Sequence, residues 1–202
     1  MKNFPVLEQL NAASLVTSLS VVLGTLACHL ALTGRLGAAV LCGALALPCD
    51  VFDGQLARRL KQVSAFGGFL DSLADAVSFC LVPPMLAHAM GVGGAWTIAL
   101  VAYSLTGVWR LARFMETGTV VVAGREYFQG LPTAFGAAVF YLVAAGAAGQ
   151  PAGPRSALVG GYLAVAALAM IHGFAFPKHG WHTRLLWGLV PVATVASAVR
   201  WW

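Results

Sequence analysis

Long apolar runs, each followed by a short polar stretch, make up almost the whole chain. A helix needs about 20 apolar residues to cross a bilayer, and most of these runs reach that length. The pattern predicts spans at about Ala12–Thr33, Leu36–Leu60, Ala65–Met90, Ala95–Phe114, Pro132–Gly149 and Ser156–Phe176. We therefore predict an all-α integral membrane protein, a polytopic bundle of six core transmembrane helices.

The two ends of the chain have patterns of their own. Residues Met1–Asn11 mix apolar and polar side chains, which is typical of an N-terminal amphipathic helix lying in the membrane interface. The apolar run Leu185–Trp201 is near the lower length limit for a crossing and predicts an extra C-terminal span. The sequence contains no repeat and no soluble domain, so residues 1–202 are predicted to form a single membrane domain.

Composition supports this interpretation. The chain is 59% hydrophobic and only 9% charged, against about 25% charged in soluble domains. The net charge of +5 does not indicate nucleic-acid binding, because its distribution follows the predicted spans. Nine basic residues fall on one side of the membrane: Lys2, Arg58, Arg59, Lys61, Arg110, Arg113, Arg125, Lys178 and Arg184. The other three are Arg35, Arg155 and Arg200, so the positive-inside rule places the nine in the cytoplasm.

The acidic residues are clustered. All four aspartates of the chain, Asp50, Asp53, Asp71 and Asp75, lie between Cys49 and Phe79. Spacings of three and four residues put each pair on one face of a helix. The connection between the second and third spans is short, so these helices must be antiparallel neighbours whose aspartates face each other. Four carboxylates in an apolar setting would repel each other unless cations were bound.

Oxygen ligands without a nearby Cys or His set favour Mg²⁺ or Mn²⁺, and four carboxylates can hold one or two such ions. Small residues between the two acidic pairs, Gly54, Ala57 and Gly67, would let a ligand approach the backbone closely. Arg58 is suited to a phosphate oxygen. Together these features indicate a metal-bound phosphate compound, with a salt-bridged loop as the alternative.

These residues carry a family resemblance. The pattern Asp50-x2-Asp53-Gly54-x2-Ala57-Arg58-x8-Gly67-x3-Asp71-x3-Asp75 resembles the signature of the CDP-alcohol phosphotransferases at every specified position. The resemblance implies transfer of a phosphatidyl group from a CDP-linked lipid to an alcohol, with release of CMP. It also implies a homodimer.

The resemblance implies roles for individual residues. Asp50 and Asp71 would bridge two divalent ions, Asp53 would bind the first ion, and Asp75 would bind the second and act as general base. The residues implied to contact the CDP-lipid are Ser14, Gly54, Ala57, Arg58, Ser64 and Gly67. Ser14 stands where the family has threonine in an Asn-x-x-Thr entry to the first span, and its hydroxyl could instead bond within its own helix.

Three further sequence segments indicate the acceptor alcohol. Residues 66–79, Arg110-Leu-Ala-Arg113-Phe114 and Tyr127-Phe-Gln-Gly-Leu-Pro-Thr133 resemble the phosphatidylserine synthase branch, which implies CDP-diacylglycerol and L-serine as substrates. Arg110 and Arg113 could bind the serine carboxylate. They could also bind glycerol 3-phosphate or inositol phosphate, or lie at the lipid headgroups. Met115 and Cys80 depart from the branch, which usually has Asn and Gly there.

A second hypothesis assigns the chain to a different class of protein, a membrane transporter. Intramembrane carboxylates mark ion pathways, so the cluster could belong to a cation-binding transporter. The sequence offers no second polar cluster on the far side of the membrane as an exit. The enzyme interpretation is therefore the main prediction, with the active site facing the cytoplasm.

Overall fold

The computed structural model describes residues 4, 6–122, 124–177 and 181–201, apart from the side chains of residues 122 and 181–187. These residues form eight α-helices and three short strands. In chain order the elements are α1 (Ala12–Leu32), α2 (Leu36–Arg59), α3 (Ala65–Asp75), α4 (Val82–Ala89), α5 (Thr97–Thr117), β1 (Val120–Val122), β2 (Arg125–Gln129), α6 (Thr133–Ala147), α7 (Ala152–Ile171), β3 (Ala175–Pro177) and α8 (Trp181–Trp201). The molecule is thus mainly helical, as predicted.

Four helical segments of the described chain are long and apolar enough to cross a membrane: Ala12–Leu32, Leu36–Arg59, Ala65–Ala89 and Ala152–Ile171. Large apolar side chains cover their outer surfaces, and Leu32 and Val165 are 72% and 67% exposed. A surface of this kind is suited to lipid rather than to water. The prediction of an integral membrane protein is confirmed, whereas the count of six core spans stays a prediction.

The interfacial helix predicted at the N-terminus stays a prediction. Among the described residues before α1, a single 3-10 turn covers Leu7–Gln9. The side chains of Phe4 and Val6 next to this turn are exposed. The rest of the predicted interfacial helix, Met1 to Asn3 and Pro5, lies outside the described residues, as does Lys178 in the predicted cytoplasmic set.

The strands correct the all-α prediction. β1, β2 and β3 form an antiparallel sheet in that order, with Val121 opposite Glu126 and Phe128 opposite Phe176. The predicted spans leave the first two strands in the connection between Phe114 and Pro132 and extend the sixth span to Phe176. Hydropathy cannot distinguish an apolar strand from the end of an apolar helix. Here α7 ends at Ile171, and the residues after Gly173 pair with β2 instead.

Pro83 and Pro84 shape the third span. Neither proline has an N–H, so both leave carbonyls one turn earlier without a helical donor. The helix opens into a π-helical segment at Ala76–Leu81 just before them. The hydroxyl of Ser104 in α5 donates to the Cys80 carbonyl at 3.0 Å and satisfies one of these groups. The irregularity in this span therefore precedes the prolines.

Tight interhelical contacts hold the core together. A Cβ at Gly107 of α5 would lie 2.7 Å from the sulfur of Cys80, and one at Gly43 of α2 would lie 2.5 Å from the hydroxyl of Tyr141. Tyr141 in α6 is fully buried. Glycine at these two positions lets large side chains from neighbouring helices pack directly on the backbone. Cys80 thus fills a space opposite Gly107, which explains how this chain accommodates a side chain there.

Candidate functional site

The turn after α2 brings the two aspartate pairs together. Lys61 adopts a left-handed conformation with φ 55°, so the chain reverses between Leu60 and Ser64. The side chain of Ser64 then caps α3 by accepting from the Gly67 N–H at 3.0 Å. The side chain of Asn11 donates to the carbonyl of Gln62 at 3.2 Å and fixes this turn against the start of α1. The end of α2 and the start of α3 are therefore held next to α1.

The carboxylates form one cluster. Oxygen atoms of Asp50, Asp53 and Asp71 all lie within 4.8 Å of one another. The carboxyl group of Asp75 lies within hydrogen-bonding reach of Asp50. The predicted convergence of the two pairs is therefore found in the structure.

The donor set of this cluster is suited to a hard divalent cation. It consists of carboxylate oxygens from two helices. Asp53, one member of the cluster, is buried, with only 4% of its surface exposed. The hydroxyl of Thr17 in α1 donates to Asp53 Oδ2 at 2.5 Å and fixes the orientation of that carboxylate. Hydrogen bonds of this kind orient ligands in metal sites. Asp50, Asp53 and Asp71 could therefore hold a divalent metal ion, with Asp75 next to them.

A cavity of about 380 Å³, here called the large cavity, opens beside this cluster. Asp53 and Asp71 form one part of its wall. All six residues predicted to contact a CDP-lipid line it: Ser14, Gly54, Ala57, Arg58, Ser64 and Gly67. Residues from α1, α2 and α3 thus surround a single space at the acidic cluster.

Local contacts show which of these six residues are already engaged. The hydroxyl of Ser14 donates to Asn11 Oδ1 at 3.2 Å, so it bonds locally as its alternative interpretation expected. Ser64 is engaged as the α3 cap. A Cβ at Gly54 would meet only the guanidinium of Arg58, at 3.4 Å or more. The surface beside Gly54 is consequently open to a ligand.

A second cavity of about 200 Å³, the inner cavity, lies on the other side of the cluster. Asp50, Asp71 and Asp75 line it together with Arg110. Asp71 therefore borders both the large and the inner cavity. The acidic cluster forms the partition between two spaces of different size.

The two arginines of α5 have different environments. Arg110 is only 8% exposed, and its Nε has no hydrogen-bond partner among the described residues. Its guanidinium carbon lies 5.2 Å from the ring centre of Phe114 and 5.6 Å from that of Phe128, which are cation–π distances. Arg113 is exposed and lines a third space, the outer cavity, together with Arg110. A buried guanidinium with an unpaired Nε is a natural site for an anion.

Thr133 closes the inner cavity at the start of α6. It is 1% exposed, and its hydroxyl lies 3.5 Å from Asp75 Oδ2. Gly130, with φ 70°, precedes it and packs against the end of α7, where a Cβ would lie 2.5 Å from the carbonyl oxygen of Met170. The N–H of Leu131 also donates to the carbonyl of Ala169 at 3.0 Å. These contacts place Thr133 beside Asp75.

Sequence reasoning missed three residues at these cavities: Thr17, Phe128 and Gln129. Thr17 had a signal, since Ser14, Thr17 and Ser20 form a buried polar stripe at three-residue spacing along α1. Phe128 and Gln129 lie in β2, which the sequence analysis interpreted as loop. Their contributions depend on a strand that was not predicted.

Comparisons with known proteins agree with this geometry. Residues 10–177 match the family model described as CDP-alcohol phosphatidyltransferase. The CDP-diacylglycerol–serine O-phosphatidyltransferase of Mycobacterium leprae is 36% identical over 129 residues, which cover 61% of this chain and 43% of that protein. The Bacillus subtilis enzyme of the same name is 36% identical over 103 residues, covering 50% of this chain and 58% of the relative. The archaetidylserine synthase of Methanothermobacter thermautotrophicus is 34% identical over 130 residues, covering 62% and 50%.

The matched segments thus span about half the length of these curated relatives. The family model, in contrast, covers most of this chain and includes the acidic cluster and the residues around both cavities. The chain belongs to the CDP-alcohol phosphatidyltransferase family.

Proposed function

We propose that this protein transfers a phosphatidyl group from CDP-diacylglycerol to the hydroxyl of L-serine, giving phosphatidylserine and CMP. One observation carries the proposal: the acidic cluster separates a large cavity lined by the CDP-motif residues from a small cavity that contains a buried arginine. A two-substrate transfer needs this arrangement, since donor and acceptor must meet at one reacting centre. The names of the similar proteins support serine as the acceptor.

The large cavity is the proposed site of the CDP-lipid. Gly54, Ala57 and Gly67 leave room for the nucleotide along α2 and α3. Arg58 at its rim would donate to a phosphate oxygen. Ser14 and Ser64 complete the wall with hydroxyl groups at the entrance to their helices.

Asp50, Asp53, Asp71 and Asp75 are the proposed metal ligands. A pair of Mg²⁺ or Mn²⁺ ions bound there would neutralise the diphosphate and stabilise the charge that develops on the entering and leaving oxygens. Thr17 holds the Asp53 carboxylate for this purpose.

The proposed reaction balances as a single displacement. The serine oxygen forms a bond to the phosphorus that carries diacylglycerol, and the bond from that phosphorus to the bridging oxygen breaks. The bridging oxygen leaves with CMP. Asp75, which faces the inner cavity, takes the proton of the serine hydroxyl, and Thr133 orients the Asp75 carboxylate.

Arg110 is the proposed partner of the serine carboxylate. It lines the same cavity as Asp75, so it would hold the carboxylate while the hydroxyl faces the base. Arg113 stands outside this cavity and contributes a second positive charge at the outer cavity. Two arginines in adjoining cavities also favour a phosphorylated acceptor, glycerol 3-phosphate or inositol phosphate, as the second candidate.

Purified full-length protein tests this choice directly. CMP release would be measured with CDP-diacylglycerol, Mn²⁺ or Mg²⁺, and each acceptor in turn. We expect release that depends on serine and on the divalent ion, and that stops when the ion is chelated. Release with glycerol 3-phosphate but not with serine would instead establish the second candidate.

The arrangement in the membrane is part of the proposal. α1, α2, α3 with α4, α5, α6 and α7 would form the six core spans, α8 an extra C-terminal span, and residues 1–202 a single domain. The active site would face the cytoplasm, where positive-inside counting places Arg58, Arg110 and Arg113. Labelling of single cysteines from each side of the membrane tests this topology, and light scattering in detergent tests the predicted homodimer.

A further inference from the structure

The outer cavity adjoins the inner cavity and is assigned no ligand group in the proposed serine reaction. It has a volume of about 200 Å³ and lies between the ends of α5 and α7 and the end of β2. Arg110 and Phe114 line both cavities. The outer cavity therefore meets the proposed acceptor position at these two residues.

Two buried polar groups in the outer cavity have no hydrogen-bond partner among the described residues. One is Nε of Arg110, an N–H donor. The other is Oε1 of Gln129, the last residue of β2, which is an acceptor. Buried polar groups in folded proteins are nearly always hydrogen-bonded, so a donor and an acceptor left unpaired in one cavity indicate a ligand that satisfies both.

The charges around this cavity are of both signs. Arg110 and Arg113 supply positive charge on one side. Met170, Ile171 and His172 line the other side at the carboxyl end of α7, where the helix dipole is negative. A cavity with this distribution is complementary to a zwitterion rather than to an ion of one sign.

We propose that the outer cavity binds the ammonium end of an amino-acid acceptor, with Gln129 Oε1 as the group that accepts from the ammonium. This inference rests on the proposed function and names a residue that selects the substrate. Arg110, shared by both cavities, holds the carboxylate, and the hydroxyl extends into the inner cavity towards Asp75. The oxygens of an ionised phosphate group are hydrogen-bond acceptors. Such a group would therefore be repelled by Gln129 Oε1, which is also an acceptor.

Gln129→Met tests this inference, because methionine has a similar length and no hydrogen-bonding oxygen. CMP release from CDP-diacylglycerol would be measured with L-serine, with glycerol 3-phosphate and with 3-hydroxypropionate, which is serine without its ammonium group. We expect kcat/KM for serine to fall by about tenfold or more. We expect kcat/KM for 3-hydroxypropionate and KM for CDP-diacylglycerol to stay within twofold. Gln150→Met, at an exposed position in the α6–α7 connection, is the matched control.

Each alternative outcome is distinct. An equal decrease with both acceptors would show that Gln129 is structural and would overturn the inference, as would unchanged use of serine. A selective loss with glycerol 3-phosphate would show that the amide binds a phosphate group, and it would overturn the inference too. If the unaltered protein uses serine in these experiments, the proposed function stands whatever Gln129→Met does. If it uses only a phosphorylated alcohol, both proposals fail.

Discussion

The large cavity and the inner cavity meet at the same aspartates, yet they are built differently. The large cavity is formed by residues of α1, α2 and α3, and three of its polar side chains are engaged: Asn11 caps α1, Ser64 caps α3, and Thr17 binds Asp53. The inner cavity takes residues from α2, α3, α5, β2 and α6. Its arginine is buried with an unpaired Nε.

This difference indicates how each proposed substrate would be recognised. A site whose polar groups are satisfied is rigid before the ligand arrives, and such preorganisation suits a diphosphate held by metal ions. A buried guanidinium with an unpaired Nε carries a desolvation cost that the right anion removes on binding. We therefore expect changes at the acidic partition to abolish the reaction and changes on either side to affect one substrate only.

Asp75→Asn should have the largest effect. It removes the proposed base while keeping the size of the side chain, so we expect CMP release to fall by about a thousandfold or more. Calorimetry should still detect CDP-diacylglycerol and Mn²⁺ binding through the other three aspartates. Activity within tenfold of the unaltered protein would rule out Asp75 as the base. An ion flux that is unaffected by CDP-lipid would favour the transporter hypothesis.

Arg110→Met should have the second-largest effect. It should change the use of the acceptor and leave the binding of the CDP-lipid unchanged. Loss of a charge-assisted contact to the acceptor predicts that kcat/KM for serine falls by about 10- to 100-fold. KM for CDP-diacylglycerol should stay within threefold, because Arg110 does not line the large cavity. Thermal unfolding should occur at a lower temperature, since the substitution removes the cation–π contacts with Phe114 and Phe128.

Arg59→Met is the matched control for this variant. Arg59 is exposed at the end of α2. We expect this variant to keep kcat/KM for serine and KM for CDP-diacylglycerol unchanged. A rise in KM for CDP-diacylglycerol with Arg110→Met would show that the two cavities are not separate sites. In that case the comparison between them would not hold.

The same contrast explains what the sequence could reveal. Asp50, Asp53, Asp71 and Asp75 lie on two helices joined by a short turn, so helical spacing was enough to predict their convergence. The other residues of the large cavity belong to the same continuous motif or to the start of α1. Local pattern therefore predicted this side nearly completely.

The inner and outer cavities could not be predicted in this way. Phe128 and Gln129 reach them only because β2 pairs with β3, whose residues are some 50 positions further along the chain, as the register of Phe128 with Phe176 shows. Strand pairing of this kind depends on tertiary contacts rather than on a local period. Arg110 was identified from its spacing with Arg113, but its burial was decided by the Phe114 and Phe128 rings.

Thr17→Val tests the contribution of α1 to the metal site. Valine keeps the shape of threonine and removes the hydrogen bond to Asp53 Oδ2. Loss of such a supporting bond weakens metal binding by about 10- to 100-fold, so we expect Mn²⁺ affinity, measured by calorimetry without substrate, to fall by at least tenfold. Thr17→Ser should restore it. Equal Mn²⁺ affinity in the Val variant would mean that Asp53 needs no support from α1.

A pair of glycine substitutions gives the smallest and most selective effects. Gly54 is inside α2, and a Cβ there meets only Arg58, at 3.4 Å. Gly54→Ala should therefore leave the thermal midpoint equal or higher, because alanine favours a helix by about 1 kcal/mol. KM for CDP-diacylglycerol should rise several-fold, because the added methyl group occupies space in the large cavity.

Gly130→Ala should lower stability and leave KM for CDP-diacylglycerol unchanged, the opposite of Gly54→Ala. Its φ of 70° and the Met170 carbonyl 2.5 Å from a Cβ leave no room for alanine, so we expect a loss of about 1–3 kcal/mol of stability. Thr133 would shift away from Asp75, lowering turnover several-fold while KM for CDP-diacylglycerol stays unchanged. A lower thermal midpoint for Gly54→Ala, together with an unchanged one for Gly130→Ala, would contradict the view that the donor side has open space and the acceptor side depends on long-range packing.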